Sequence, residues 1–319
     1  MSVLSRKEKE EQGEGHPAVS DSPPCLICGS TGFFIKFDLG AHKILRCRDC
    51  TFMWLFPAPT KEELKEIYDI NYYQNESFYQ SDSCIYGYFD YFSERINKQA
   101  NFLNLMDEIL EHLDDFQPEV SRFLDIGCGL GYLLDVASDK GFQVAGIEFN
   151  PAAVERIKQK YVFPVFCGDF MDYQSEPYDV ICMLDVIEHL ADPKAAVVKM
   201  NQLLRPGGVL VISTMDCDSL TSRLLGKRLE DFRRVREHLF FFNRSTMISL
   251  LEKAGFETLK IRSYGSTFRL DFLIDRIRLV SPLAGNILGK IVRLLHISYM
   301  NIYINPHTKM VLFLRKKSD

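Results

Sequence analysis

The sequence lacks any apolar run near the roughly 20 residues of a membrane-spanning helix. Its first fifteen residues, MSVLSRKEKEEQGEG, also lack the apolar centre of a secretory signal. The expected location is therefore the cytoplasm. A surplus of positive charge is missing too: 38 Lys and Arg stand against 43 Asp and Glu, a formal net charge of -5. With no global field for a phosphate polymer, nucleic acid is not expected as a partner. Cysteine is not scarce, but the nine residues are an odd number and five are scattered (Cys84, Cys128, Cys167, Cys182 and Cys217). That usage argues against a disulfide framework and for a reducing compartment. One further absence matters most. In FLDIGCGLGYLL, residues 123–134, a G-x-G-x-x-G count from Gly127 and Gly129 ends on Tyr132. A dinucleotide pyrophosphate needs that third glycine for close helix packing, and no Tyr-x-x-x-Lys pair stands in a fitting place, so a nucleotide-dependent oxidoreductase is disfavoured.

What is present organises the chain into four parts. With 319 residues and 46% hydrophobic content, it can bury one substantial core and a small appendage. Residues 1–22 are polar, mixed in charge and poor in aromatics, as a disordered leader is. In residues 23–60, Cys25 and Cys28 precede Cys47 and Cys50 by an eighteen-residue interval. Two C-x2-C knuckles at that separation can bring four thiolates together tetrahedrally, the closed shell of a structural zinc ribbon, which holds shape and does no chemistry. Residues 61–117 begin as a helix (KEELKEIYDI) and continue into a stretch dense in Tyr and Phe, expected to form a lid over a pocket. Its last portion, 93–114, again carries apolar residues at helical spacing.

From 118 onward, short apolar runs alternate with helical segments. Strands are expected near 121–126, 142–147, 163–166, 178–184, 208–213, 257–263 and 309–315. Helices are expected near 131–140, 151–160, 193–204 and 244–254. Such alternation predicts an α/β fold, a doubly wound, seven-stranded, mostly parallel sheet. Ligands of such sheets sit beyond the carboxyl ends of the strands, so four turns should face one small molecule. The first presents Asp125, then Gly127, Gly129 and Gly131, where backbone can approach a ligand. The second ends on Glu148, whose carboxylate can accept both hydroxyls of a ribose. The third offers Asp169 for an exocyclic amine and Phe170 for a ring face. The fourth, MLDVIEHL, brings Leu184 and Asp185 to the same edge.

In series, D-x-G-x-G-x-G, the acid after the second strand, Gly-Asp after the third and DVIEHL-x-DP after the fourth resemble class I S-adenosylmethionine-dependent methyltransferases. The likeness spans about 118–264. The preceding four-cysteine ribbon and FPAPTKEELKEIYDINYY extend it toward a bacterial subgroup with sugar C-methyltransferases and cell-surface glycan methyltransferases. This resemblance implies S-adenosylmethionine as cofactor and a small-molecule or glycan-precursor acceptor, methylated on oxygen or carbon. The physics agrees: the donor carries no phosphate but has an ammonium and a sulfonium, which acids and small residues suit. A zinc-ribbon nucleic-acid or protein methyltransferase, or a binding module, is the alternative.

Transfer is an in-line displacement, and a hydroxyl acceptor must also lose a proton. In REHLFFFNRSTM, His238 is a candidate general base with Glu237 to orient it, since the resembled family places its Glu-His-Leu turn near the active site. His189 has a similar claim. Asp185 and Glu188 form a second option, a magnesium pair as in some ubiquinone-pathway O-methyltransferases. Finally, 265–305 reads as a helical insertion in which Ile287, Leu288, Ile291, Leu294 and Leu295 share one arc, with Lys290, Arg293 and His296 off it. It is expected to pack on the core, on a second subunit, or as a peripheral membrane contact. The oligomeric state is open.

Overall fold

The computed structural model describes residues 21–60, 63, 95–235 and 237–318. Residues 1–20 of the expected leader, and 61–62 and 64–94 of the expected lid, lie outside the described residues. The entry to the lid is described at one point. Thr60 and Glu63 cap each other reciprocally, the Thr60 hydroxyl accepting the Glu63 amide at 3.2 Å and the Glu63 carboxylate accepting the Thr60 amide at 2.7 Å. Such a reciprocal pair is a capping box.

A seven-stranded sheet organises the chain. Its strands are β4 (Arg122–Ile126), β5 (Gln143–Glu148), β6 (Val165–Cys167), β7 (Tyr178–Leu184), β8 (Leu204–Met215), β10 (Phe256–Ser263) and β13 (Lys309–Lys316). The order is β10-β13-β8-β7-β4-β5-β6, with β13 antiparallel to both neighbours and the other adjacent pairs parallel. The central strands read as continuous apolar runs because helices cover both faces of such a sheet. Ile181, Cys182, Met183, Val211, Ile212, Val311, Leu312 and Phe313 are all fully buried.

The crossover helices start where their caps dictate. In α1 (Arg95–Leu110), the inward face is Asn97, Leu105, Met106 and Ile109. Then come α2 (Tyr132–Asp139), α3 (Pro151–Lys160) and α4 (Pro193–Leu203). Asn150 caps α3 by accepting the amides of Ala152 and Ala153, and Asp192 caps α4 by accepting that of Ala195; proline follows each cap. Those are the positions a cap and an N1 proline favour. No side chain caps α2, which follows the left-handed Gly131. The short helices α5 (Leu220–Leu225) and α6 (Glu230–Arg233) lead to α7 (Arg244–Lys253).

A second sheet, β1 (Phe33–Leu39), β2 (His42–Cys47) and β3 (Met53–Phe56), carries the cysteine segment. Its fourth strand is β9 (Phe240–Phe241), which comes from the main domain and pairs antiparallel with β3. Phe52, Trp54 and Leu45 pack in one apolar cluster with Ile187, Phe242 and Met247. The cysteine segment is thus a wall of the main core. The insertion is more than helical: β11 (Ser266–Arg269) pairs with β12 (Asn301–Ile304), and α8 (Leu270–Val280) and α9 (Pro282–Leu294) form a hairpin at its tip. Strands of four residues that pair across some thirty others leave little local signal.

Candidate active site

The sheet register sets the carboxyl ends of β4, β5, β6 and β7 side by side: Ile126 opposes Ile147 and Met183, and Glu148 opposes Cys167. Between β4 and α2, Gly127, Gly129 and Gly131 take φ of 77°, 56° and 75°. At Gly127 any Cβ would lie 2.4 Å from a Val186 methyl, so only glycine fits. Glu148 braces this turn: one carboxylate oxygen accepts the Gly129 amide at 2.8 Å and the other the Asn150 amide at 2.8 Å.

Asp125, 4% exposed, lies within the field of Glu148. Burial first, and then that negative field, push its carboxyl up to about 8. Two buried acids thus stand side by side at the glycine turn. Asp169 is exposed and accepts the Met171 amide at 2.9 Å as the cap of a short turn. Phe170 is 5% exposed and belongs to the main apolar cluster, so its ring is fixed by packing.

A cavity of about 510 Å³ opens beyond the end of β7. It is lined by Leu184 and Asp185, by Glu188, His189 and His238, and on the far side by Tyr264, Phe268, Phe272 and Lys309. The insertion therefore supplies one wall. Asp185, at φ 55°, accepts the Ser213 hydroxyl at 3.0 Å and pairs with Lys309. Burial raises its carboxyl, but Lys309 and these hydrogen bonds outweigh that and hold it below the usual range. It is thereby engaged by protein cations and donors, whereas the donor atoms of Glu188, His189 and His238 all lie within 4.8 Å of one another. The geometry gathers those three groups, with Asp185 close enough to Glu188 for its charge to act there.

Their protonation follows from burial. Glu188, 2% exposed, is pushed up to about 8 by burial and then by the charge of Asp185, and its Oε2 has no partner. His189 is lowered to about 4 by burial and then by Arg234; its Nδ1 lies 3.1 Å from the Glu237 carbonyl. His238, 5% exposed, is held well below the usual imidazole range by burial and then by His189 and Arg234. Both rings are neutral at pH 7 and meet edge to face at 4.8 Å. The buried Nδ1 of His238 has no partner. A neutral ring with an available lone pair can accept a proton or bind a metal. Glu237, fully buried, directs a carboxylate oxygen to Arg234 at 3.1 Å.

The four sequence-predicted cysteines do come together. Cys25 and Cys50 sulfurs are 3.4 Å apart, those of Cys28 and Cys47 3.5 Å, and all four lie within 4.8 Å. Each knuckle is followed by a left-handed residue, Gly29 at φ 75° and Thr51 at 66°. Lys309, Arg234, Asp231 and Tyr264 escaped sequence reading, because single polar residues at strand and helix ends carry no spacing pattern.

A glycine turn at the switch point of a seven-stranded sheet, with two buried acids beside it, defines an α/β protein whose ligand site lies beyond the carboxyl ends of the strands. The family model for a methyltransferase domain matches residues 96–261, and the chain belongs to that family. Among curated proteins it is similar to a ubiquinone biosynthesis O-methyltransferase of Idiomarina loihiensis, 28% identical over 157 residues, covering 44% of this chain and 63% of that one. A Xylella fastidiosa protein of the same name is 34% identical over 107 residues, 30% of this chain and 42% of that one. The chain thus spans less than two thirds of these relatives. Among solved structures, the [4+2]-cyclase SpnF superposes with a TM-score of 0.50 at 16% identity, covering 82% of this chain and 98% of that one. The fold is shared across different reactions. No helix among the described residues is long and apolar enough to cross a membrane.

Proposed function

We propose that the chain transfers the methyl group of S-adenosylmethionine to a hydroxyl or acidic carbon of a small amphipathic acceptor, with a nucleotide sugar or lipid-linked saccharide as the acceptor class. The observation that carries this reading is one cavity shared by Leu184 and Asp185 from the cofactor edge and by the lone pair of His238. Asp125 receives the donor's amino-acid end, Glu148 its ribose and Asp169 its adenine. The cavity mixes Phe268 and Phe272 with Lys309 and Glu188, which suits an acceptor with both apolar and polar portions.

In the step itself the acceptor oxygen attacks the methyl carbon in line. Bound there, the donor would supply an electrophilic methyl carbon with a neutral thioether as leaving group, and Nδ1 of His238 would take the hydroxyl proton. Burial makes the resulting imidazolium unfavourable, so the ring hands the proton on readily. Titration calorimetry tests the donor half: micromolar binding of S-adenosylmethionine or S-adenosylhomocysteine, and none of NAD. A radiolabelled-methyl screen against nucleotide sugars and lipid-linked saccharides tests the acceptor.

A second reading attaches to Glu188, His189 and His238, whose two unpartnered atoms and close approach favour a divalent ion. Two imidazoles and one carboxylate suit a transition metal better than magnesium. Loss of activity on chelation, with restoration by one ion, separates it from proton transfer to His238. We further infer structural zinc at Cys25, Cys28, Cys47 and Cys50. The sulfur separations match a tetrahedral set with metal–sulfur bonds of about 2.3 Å, and one zinc per chain by elemental analysis is the expected result.

A further inference from the structure

The helix α9 is packed the wrong way round for a soluble protein. Its buried residues are Gly285, Gly289 and Val292. The two glycines admit α8 so closely that a Cβ at Gly285 would lie 2.5 Å from the Arg278 Cα. The large apolar residues therefore point outward: Leu283 is 74% exposed and Leu294 80%, with Ile287, Ile291 and Leu295 also exposed. At 100° per residue Leu283, Ile287, Ile291 and Leu294 fall on one stripe, and Lys290 lies at its edge beside Leu283 and Leu294. Tyr299 and Tyr303, both exposed, follow directly.

Charge decides what covers this stripe. Within α9 the charged residues are Lys290 and Arg293, with no Asp or Glu, in a chain whose net charge is -5. Lys290 and Arg293 are exposed on α9 itself. A second copy would bring its own cations to the contact, so two stripes would meet with like charge. An anionic lipid surface instead accepts the leucines and isoleucines into its acyl boundary, the cations at its phosphates and the tyrosines at its headgroups.

We propose that α9 is an interfacial anchor that docks the chain on a membrane containing anionic lipid. The same insertion walls the acceptor cavity through Phe268, Phe272 and Ile304. The docked enzyme thus holds its cavity beside the membrane, and the acceptor is membrane-borne; this last step rests on the methyl-transfer reading.

Vesicle co-sedimentation of the full chain tests the docking. Sedimentation is expected with vesicles of phosphatidylcholine plus phosphatidylglycerol, weakening as salt is raised, and not with phosphatidylcholine alone. Each basic residue near such a surface changes partitioning roughly fivefold, so Lys290→Glu with Arg293→Glu should reduce binding more than about twenty-five-fold. Ile291→Ser with Leu294→Ser should abolish it. Equal binding to neutral and anionic vesicles, or no binding by the intact chain, overturns the proposal without need of any variant. So does a dimer in sedimentation velocity that both double variants disperse. Donor binding by calorimetry on the same preparations reads the other claim separately. A chain that docks but ignores the donor keeps the anchor and loses the methyl-transfer reading, and the reverse result does the opposite.

Discussion

Asp125→Asn should make the protein more stable and a worse binder of its donor. The carboxyl is 4% exposed and is raised from 3.8 to about 8 by burial and by Glu148. A carboxyl with a raised folded-state value keeps a proton that the unfolded chain gives up. Its unfavourable contribution is therefore absent below about pH 4, grows as pH rises toward 8, and is constant above. At pH 7 the interval from 3.8 is about 3 pH units, worth about 4 kcal/mol at 1.36 kcal/mol per unit. Asparagine is isosteric and removes that contribution. Chemical denaturation should show the variant more stable by up to about 4 kcal/mol at pH 7 and equal to the parent at pH 4. The donor's ammonium should reverse the balance by ionising Asp125. Calorimetry in buffers of different ionisation enthalpy should then show close to one proton released per donor bound at pH 7. The variant should release none and bind about 10- to 100-fold more weakly, the range for a charge-assisted hydrogen bond. A variant less stable than the parent at pH 7, or donor binding with no proton release, would refute the placement of a cation at Asp125.

Gly127→Ala puts a methyl group 2.4 Å from Val186 at φ 77°. A left-handed alanine costs about 1–2 kcal/mol before the clash is counted, so donor affinity should fall at least about tenfold by calorimetry. His238→Ala should lower kcat by about 10²–10⁴ and leave donor affinity within about twofold; unchanged kcat would remove the base from the mechanism. Cys47→Ser should release the zinc and lower the thermal midpoint by about 2–4 °C per kcal/mol lost. An unchanged midpoint with full metal content would show that the knuckles hold nothing.

The sequence revealed strands and helices wherever periodicity was long and local. Ile181–Met183 and Val209–Ile212 are continuous apolar runs, and Asn150-Pro151 and Asp192-Pro193 announce their helices through the cap and the fixed φ of proline. The glycine turn and the four cysteines were legible for the same reason, since backbone conformation and metal geometry constrain residues close in the chain. What stayed hidden is what long-range pairing creates. No pattern in Phe240–Phe241 foretells that these two residues complete the sheet of the cysteine segment, or that Lys309 reaches Asp185 across 124 positions. The outward stripe of α9 was legible as an arc, but its direction was not. Only the close approach at Gly285 and Gly289 shows which side faces in.

That long-range pairing gives the cysteine segment a role its chemistry alone would not. The Leu55 amide donates to the Leu239 carbonyl at 2.9 Å, and the Leu239 amide donates to the Glu188 carbonyl at 2.8 Å. His238 therefore sits two residues before a strand whose approach, at Leu239, is held on one side by β3 and on the other by the turn that carries Glu188 and His189. Asn243, two residues past β9, donates to the Thr51 hydroxyl at 2.9 Å. The four-cysteine centre fixes the β2–β3 turn, that turn fixes β9, and β9 fixes the ring that faces the cavity. A closed metal shell would do no chemistry itself, yet on the proposed reading it would set the position of the proposed base. Loss of the zinc should consequently reduce kcat ahead of donor affinity, because the glycine turn and Glu148 belong to the other sheet.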